Sequence, residues 1–280
     1  MINNQLKTVV LLGSLTGLLL LIGSFFGQNG LTIAIIFAVL MNIGSYFFAD
    51  KLVLMMYRAK KIEQKDNPDL FKLVREVVQL AHIPMPKIYI IPTMTPNAFA
   101  TGRSPKYATV AFTEGILKLL NKDELKGVIA HEISHVKNRD ILIQTIASTI
   151  AGVISYIAFM ARWAAIFGGN RDRDSGNLFE LLALAILTPI IATLIQLAIS
   201  RSREFLADEG AAKTLHNQHG LISALQKLEN GVANHPMEFG PQATSSLFIV
   251  NPFRANAIFN LFSTHPPMDK RIEKLRSMHV

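Results

Sequence analysis

Four long apolar runs alternate with polar stretches along the chain. The first two occupy residues 8–26 and 31–49, and the second two occupy residues 141–161 and 181–200. Each run has roughly the length at which a helix crosses the ~30 Å hydrocarbon layer of a bilayer. The pattern therefore predicts two pairs of apolar helices, with a turn at residues 27–30 joining the first pair.

Two other interpretations of these runs stay open. The first run could be a cleaved signal peptide with Lys7 as its basic flank, although no A-x-A-like cleavage site follows it. The second pair could be two buried helices of a large soluble core. The polar loop at residues 168–177, which joins the second pair, is too short to form an additional domain.

Shorter patterns predict helices and strands in the polar stretches. Residues 69–81 carry apolar side chains at helical spacing. Residues 122–139 are predicted to be a helix with Asn121 as its N-cap and Glu124 completing a capping box. The remaining predicted elements are helices near residues 221–228 and 269–278 and strands at residues 87–91, 97–101 and 109–112.

The composition indicates either an unusually large apolar core or segments that face lipid. Only 17% of the 280 residues are charged, against roughly 25% in an ordinary soluble domain. The chain has no cysteine, so disulfides, thiolate zinc sites and cysteine nucleophiles are excluded. The net charge is +8. Binding to nucleic acid, binding to anionic lipid, or the placement of basic residues that fixes membrane topology would each account for this excess.

The positions of the basic residues favour membrane topology. Several directly follow the second and fourth apolar runs, namely Lys51, Arg58, Lys60, Lys61, Lys65, Arg201 and Arg203. The turn at residues 27–30 has none, so the positive-inside tendency places both termini and residues 50–140 in the cytoplasm. Nucleic-acid-binding modules and a Walker-type phosphate loop are lacking, so we expect neither nucleic acid nor nucleotide as a partner.

A candidate metal-binding motif lies inside the predicted helix at residues 122–139. The sequence there is H-E-I-S-H, from His131 to His135. Spacing of i, i+4 places both imidazoles on one helix face, where they can take two positions around a tetrahedral zinc ion. Glu132 can reach a metal-bound water as a general base. The alternative is a solvated polar helix face.

A catalytic zinc ion needs about three protein ligands, and the third is open from spacing alone. Glu204 follows the fourth apolar run on the same predicted side as the motif, and Asp208 lies one turn later on the same face. Asp208 could accept the second N–H of a ligating histidine. The alternatives are a surface ion pair for Glu204 and ligation by His216 or His219.

Four segments together resemble the HtpX family of bacterial membrane-embedded zinc metalloproteases, which are relatives of the CAAX prenyl proteases. They are HEISHVKNRD at residues 131–140, SREFLAD at 202–208, NAFATG at 97–102 and STHPPMDKRI at 263–272. With the placement of the apolar runs, the resemblance covers essentially the whole chain. It implies one Zn²⁺ per chain, with Glu204 as the third ligand beside His131 and His135.

Two weaker site predictions accompany the resemblance. An edge strand containing Asn97, Ala98, Phe99 and Ala100 could pair with an extended substrate; a core strand is the alternative. His265 could donate a hydrogen bond to the oxyanion that develops during hydrolysis; a capping or core histidine is the alternative.

The predicted elements and motifs together define the expected architecture. The fold class is a mostly α membrane protein with a small β-sheet, in which a zincin-type (gluzincin) catalytic domain accompanies four apolar helices. Residues 1–49 form an N-terminal transmembrane helix pair, and residues 141–200 form a second apolar pair. Residues 50–140 carry the H-E-I-S-H helix and residues 201–280 the third zinc ligand, so these two cytoplasmic parts must fold together.

We therefore expect a zinc-dependent endopeptidase of the bacterial cytoplasmic (inner) membrane. A zinc-bound water activated by Glu132 would attack the peptide carbonyl, with protein or peptide substrates and the lipid bilayer as partners. The resemblance implies membrane quality control, in which misfolded or unstructured segments are cleaved. The alternatives are a non-hydrolytic zinc-binding scaffold or transporter and a prenyl-dependent CAAX protease.

Overall fold

The structure, a computed structural model, describes residues 4–24, 27–151, 201–253 and 266–278. Within these ranges the chain is mostly helical and contains one small mixed sheet, as the sequence predicts. In chain order the elements are α1 (Asn4–Ser24), α2 (Gly27–Met56), β1 (Lys60–Lys61), α3 (Pro68–Ala81), β2 (Lys87–Ile91), β3 (Ala98–Thr101), β4 (Thr109–Thr113), α4 (Glu114–Leu119), α5 (Lys122–Lys137), α6 (Ile141–Ala151), α7 (Arg201–Leu215), α8 (His219–Asn234) and α9 (Met268–Arg276).

Local sequence signals set the bounds of α3. Asn67 caps the helix by accepting a hydrogen bond from the Leu70 N–H at 3.1 Å, and Pro68 occupies the first turn. The helix ends where His82 adopts a left-handed conformation with φ of 57°. Its buried apolar positions recur every three or four residues, namely Leu70, Leu73, Val74, Val77, Val78 and Ala81.

The capping box predicted for α5 is present. The Asn121 side chain accepts from the Glu124 N–H at 2.9 Å, and the Glu124 carboxylate accepts from the Asn121 N–H at 2.9 Å. The same carboxylate accepts from Ser223 Oγ at 2.6 Å and Lys227 Nζ at 2.9 Å. The start of α5 is thereby tied to α8.

The sheet has the strand order β1-β2-β4-β3. β2 and β4 are parallel, whereas β1 and β3 run antiparallel to their neighbours, with Ala98 of β3 opposite Phe112 of β4. The three predicted strands therefore form, and β3 lies at one edge of the sheet. The sequence does not predict β1, because two adjacent lysines carry no strand pattern.

One apolar core joins the sheet to the helices around it. Buried side chains from α3, α5, α7, α8, α9 and the strands contribute, among them Val77, Ile88, Phe112, Val128, Ile133, Ala211, Leu225 and Leu275. The part of the chain before residue 140 and the part after residue 201 therefore share a core. This shared core brings segments that are distant in sequence to one site.

By length and composition alone, one helix in the described ranges could cross a bilayer. This helix is α2, with 30 residues. A shorter apolar stretch, Thr8–Leu21, lies within α1. The last turn of α2 enters the folded part, where Val53 and Leu54 pack with Tyr57, Phe99 and Phe248.

The expectation of four spanning helices is not confirmed. The described part of α6 ends at Ala151, and the rest of the second apolar pair, residues 152–200, lies outside the described residues. The turn predicted at residues 27–30 is wrong, because Gly27, with φ of 73°, begins α2. Polar side chains are tolerated in this first turn, where the backbone N–H groups have no intrahelical acceptor.

We predict that Gly127→Ala destabilises the protein, because α5 lies directly against the start of α8. A Cβ at Gly127 would lie 2.6 Å from the backbone nitrogen of Leu221 and 2.8 Å from its Cα. Overpacking against backbone costs about 1–3 kcal/mol, which thermal unfolding in detergent would detect. Gly13→Ala in α1 is the control, because nothing lies within 4 Å of its Cβ. Equal melting temperatures for the two variants would contradict the described packing of α5 on α8.

Candidate metal centre

Three side chains able to bind a metal ion converge between α5 and α7. His131 and His135 lie one turn apart on α5, with ring centroids 4.8 Å apart and ring planes at 88°. Glu204 comes from the first turn of α7. One potential ligand atom from each residue lies within 4.8 Å of the others, and all three residues are buried.

The spacing of the ligand atoms fits a zinc ion. His131 Nε2 lies 3.6 Å from one carboxylate oxygen of Glu204, and His135 Nε2 lies 3.4 Å from the other. Two ligands at zinc–ligand distances of about 2.0–2.1 Å and a tetrahedral angle lie about 3.3 Å apart. His131 Nε2 is buried and has no hydrogen-bond partner among the described residues, as a metal ligand requires.

Each imidazole ring is oriented by a carboxylate that contacts its Nδ1 atom. His131 Nδ1 lies 2.9 Å from Asp208 Oδ1, and His135 Nδ1 lies 3.3 Å from Asp140 Oδ2. Because a carboxylate only accepts hydrogen bonds, each Nδ1 carries a proton. The Nε2 atom of each ring faces Glu204 and is the nitrogen that can bind a metal. The Asp208 carboxylate therefore accepts a hydrogen bond from His131 Nδ1.

Among the described residues, the cluster buries four carboxylates and two guanidinium groups. Burying unpaired charges is costly, and a divalent cation held by the three ligands would add positive charge beside these carboxylates. The carboxylates are Glu132, Asp140, Glu204 and Asp208, and the guanidinium groups are Arg203 and Arg271.

The pKa values in the cluster follow burial and neighbouring charge. Burial raises the pKa of Glu132 to about 7, even though His135 opposes the shift. Burial lowers the pKa of His131, which favours the neutral form that ligates metals. Burial also lowers the pKa of His135. Hydrogen bonds to Asp140 and Glu204 outweigh this effect and raise the pKa to about 10. A metal must therefore displace a proton from His135.

Arg271 is a site residue that the sequence does not predict. Its side chain is fully buried, and it donates to Asp208 from Nε at 2.8 Å and from Nη2 at 2.7 Å. Its Nη1 donates to the Ile249 carbonyl at 2.9 Å and lies 3.6 Å from Glu204 Oε2. Arg271 lies in the STHPPMDKRI segment, and this position was the one feature of the sequence that could have indicated a role in the site. An arginine in a short polar helix is otherwise typical of a surface position.

Asp140 is the second residue missed. It closes the HEISHVKNRD segment between the end of α5 and the start of α6, and it is 3% exposed. Arg203 Nε lies 3.7 Å from its Oδ1, opposite the oxygen that faces His135. An aspartate five residues after the second histidine of the motif was the available signal.

The predicted substrate strand lies beside the cluster. Asn97 is fully buried, donates to the Val250 carbonyl at 2.7 Å and thus ties this strand to the 249–250 segment. The Ala98 carbonyl accepts from the Ile249 N–H at 3.2 Å, and the Phe99 ring packs in the core. Ala100 directly contacts the candidate general base, because its backbone is hydrogen-bonded to Glu132.

The other histidines considered do not join the cluster. His216 follows α7 and His219 begins α8, and both are exposed. The structure therefore does not bring either one to the metal position. His265 lies outside the described residues.

Comparisons with known proteins agree with this geometry. The sequence profile of Peptidase family M48 matches residues 64–279. The "Protease HtpX homolog" of Syntrophobacter fumaroxidans is 51% identical over 280 residues, which cover 98% of this chain and 99% of that protein. The protein of the same name from Thermococcus kodakarensis is 53% identical over 276 residues, covering 98% and 95%.

A solved structure shows a similar fold. The crystal structure of S. mikatae Ste24p has a TM-score of 0.53 and 19% sequence identity to this chain. The match covers 97% of this chain and 65% of that one, so this chain spans about two thirds of the length of that protein. At this identity the likeness concerns the fold alone.

We predict that zinc binding to the metal-free protein at about pH 8 releases about one proton. The proton comes from His135, whose pKa is raised to about 10, because only the neutral imidazole ligates. Zinc affinity should therefore rise with pH until about pH 10 and fall as the pH is lowered. Calorimetric titration in buffers of different ionisation enthalpy counts the protons.

Two variants make this measurement specific. Asp140→Asn removes a carboxylate that raises the pKa of His135, so fewer protons should be released. Asp123→Asn, at an exposed position on the same helix, should release as many as the unmodified chain. Zinc binding without proton release in the unmodified chain would contradict the charge assignment.

Proposed function

Because the chain belongs to Peptidase family M48 and is a zinc-dependent metalloendopeptidase, we propose that it hydrolyses peptide bonds with zinc held by His131, His135 and Glu204. Family membership confirms the resemblance drawn from the sequence motifs. The observation that carries the assignment is the buried triangle of two Nε2 atoms and one carboxylate, with both Nδ1 atoms held by carboxylates.

In the proposed mechanism the chain positions the metal and moves one proton. When bound, zinc supplies a Lewis acid that polarises the scissile carbonyl and acidifies a water molecule. The Glu132 carboxylate takes the proton from that water and passes it to the leaving amine. Burial raises the pKa of this carboxyl group, which favours its uptake of a proton. His265 is the proposed donor to the developing oxyanion.

The substrate is proposed to bind as an added strand at the edge of β3. The strand predicted for this role contains Asn97, Ala98, Phe99 and Ala100. Because the Ala98 carbonyl already accepts from Ile249 and the Ala100 N–H already donates to Glu132, pairing would begin at the Ala100 carbonyl. Backbone pairing recognises an extended chain rather than a folded surface, which supports cleavage of unstructured segments.

The proposed setting is the bacterial cytoplasmic membrane, where the enzyme would remove misfolded proteins in quality control under stress. The 30-residue apolar helix α2 supports membrane insertion. Multi-pass topology, with residues 1–49 and 141–200 as helix pairs and residues 50–140 and 201–280 in the cytoplasm, rests on the apolar runs and the basic residues that follow them. A non-hydrolytic scaffold would have no use for Glu132.

We predict opposite effects on zinc for two glutamate variants. Glu204→Ala should lose both zinc and activity, because it removes a ligand. Glu132→Gln should keep one zinc per chain while kcat for casein hydrolysis falls by about 10²–10⁴, the usual contribution of a general base. Elemental analysis and the casein assay on the same purified samples make the comparison.

Glu209→Ala is the matched control on α7, because Glu209 pairs with Lys213 at the surface of the helix. It should retain zinc and activity. Retention of tightly bound zinc by Glu204→Ala would mean that the third ligand is another residue. Normal activity of Glu132→Gln would mean that the proposed mechanism is wrong even if the zinc site is right.

A separate prediction concerns orientation. A reporter that is active only in the periplasm should give a signal when fused after Asn29 or Asn170 and stay silent after Lys65 or Lys213. The basic residues near Lys65 and Arg201 are expected to hold those segments in the cytoplasm. A signal from the Lys65 fusion would place the H-E-I-S-H helix outside and reverse the proposed topology.

A further inference from the structure

Cations and aromatic rings meet where α2 contacts the loop between β3 and β4. The Arg103 guanidinium lies 4.1 Å from the ring centroid of Tyr107 and 5.3 Å from that of Phe47. Lys106 Nζ lies 5.8 Å from the Tyr107 ring, and on α2 another lysine stacks over a phenylalanine at 5.3 Å. The interfacial patch, as we call this surface, consists of Phe47, Phe48, Lys51, Arg103, Lys106 and Tyr107.

The rings of the interfacial patch are exposed. Phe47, Phe48 and Tyr107 are 48%, 50% and 44% exposed, and the two lysines are exposed as well. Several large apolar groups left together at the surface mark an interaction site. Aromatic rings mixed with lysine and arginine are typical of residues at a membrane–water boundary.

The interfacial patch lies at the end of the apolar surface of α2. Residues 31–48 of α2 carry no charge and rise about 27 Å at 1.5 Å per residue, close to the ~30 Å hydrocarbon layer. Asp50 and Lys51, the two charged residues of α2, follow at once. The exposed side chains before them are large and apolar, including Ile33, Ile36, Phe37, Leu40 and Ile43.

The positive charge of the interfacial patch favours an anionic partner. Residues 102–108 contain Arg103 and Lys106 and no acidic residue. The nearby Asp50 carboxylate accepts a hydrogen bond from the Lys51 N–H at 2.9 Å. A positive surface flanked by aromatic rings at the bilayer boundary is complementary to an anionic lipid headgroup.

The loop that carries Arg103 and Lys106 is held in a tight turn. Gly102 has φ of 131°, and a Cβ there would clash with the Tyr107 carbonyl oxygen. The Tyr107 N–H donates to the Ser104 carbonyl at 2.9 Å. This closed turn follows β3 directly, so a ligand held by the loop also fixes the position of the edge strand.

We propose that the interfacial patch binds the headgroups of anionic phospholipids and so holds β3 at the membrane surface. This binding goes beyond the proposed hydrolysis and does not depend on it. It would bring the edge strand close to chain segments that emerge from the bilayer.

The test places a fluorescent reporter in the interfacial patch of the full chain. Tyr107→Trp combined with Trp163→Phe moves the single tryptophan into the patch and keeps an aromatic face for Arg103. In vesicles, quenching by dibrominated phosphatidylglycerol is compared with quenching by dibrominated phosphatidylcholine. We expect phosphatidylglycerol to be favoured about fivefold or more, as expected for one or more cations near a lipid surface, and less at high salt.

Two charge-matched variants in the same reporter background decide the outcome. Arg103→Gln/Lys106→Gln should lower the preference by about fivefold or more, because it removes two of the three cations of the interfacial patch. Lys72→Gln/Lys270→Gln, which removes the same charge from exposed positions on α3 and α9, should keep it. Thermal unfolding confirms that both variants are folded. Equal quenching by the two lipids, no quenching by either, or a preference that is unchanged in Arg103→Gln/Lys106→Gln would overturn the proposal.

Discussion

The burial of four carboxylates at one point constrains the rest of the structure. Glu132, Asp140, Glu204 and Asp208 are each at most 3% exposed, and a buried charge is stable only when it is paired and hydrogen-bonded. Among the described residues, two guanidinium groups and the histidines supply part of the compensation, and a bound divalent cation adds to it. Helices α5, α7 and α9 must therefore meet where they do, because each contributes a charge that the others need.

This charge network also prepares the histidines for metal binding. Asp208, from α7, holds the ring of His131 on α5, and Arg271, from α9, holds Asp208 in turn. Because each orienting group is itself fixed by another element, the Nε2 atoms of both histidines are held in defined positions. The apolar core shared by these helices supplies the rigidity. Ligands that lie on either side of residues 152–200 thus form a single site.

Local patterns predict much of the secondary structure, whereas the complete site depends on long-range packing. The capping box at Asn121 and the two histidines on one face of α5 involve residues within a turn of each other, so periodicity reveals them. Glu204 could be assigned only through the family resemblance, because a glutamate among arginines is typical of a surface ion pair. Arg271 could not be predicted, since an arginine is buried only where a partner such as Asp208 awaits it, and no local pattern shows that pairing.

X-ray absorption at the zinc edge of the purified full chain tests the central claim, a zinc ion held by His131, His135 and Glu204, most directly. We predict a first shell of nitrogen and oxygen ligands at about 2.0–2.1 Å, with the outer-shell scattering of two imidazoles. In His135→Ala the scattering should fall to that of one imidazole. A first shell of six oxygens, or scattering from fewer than two imidazoles in the unmodified chain, would contradict the assignment.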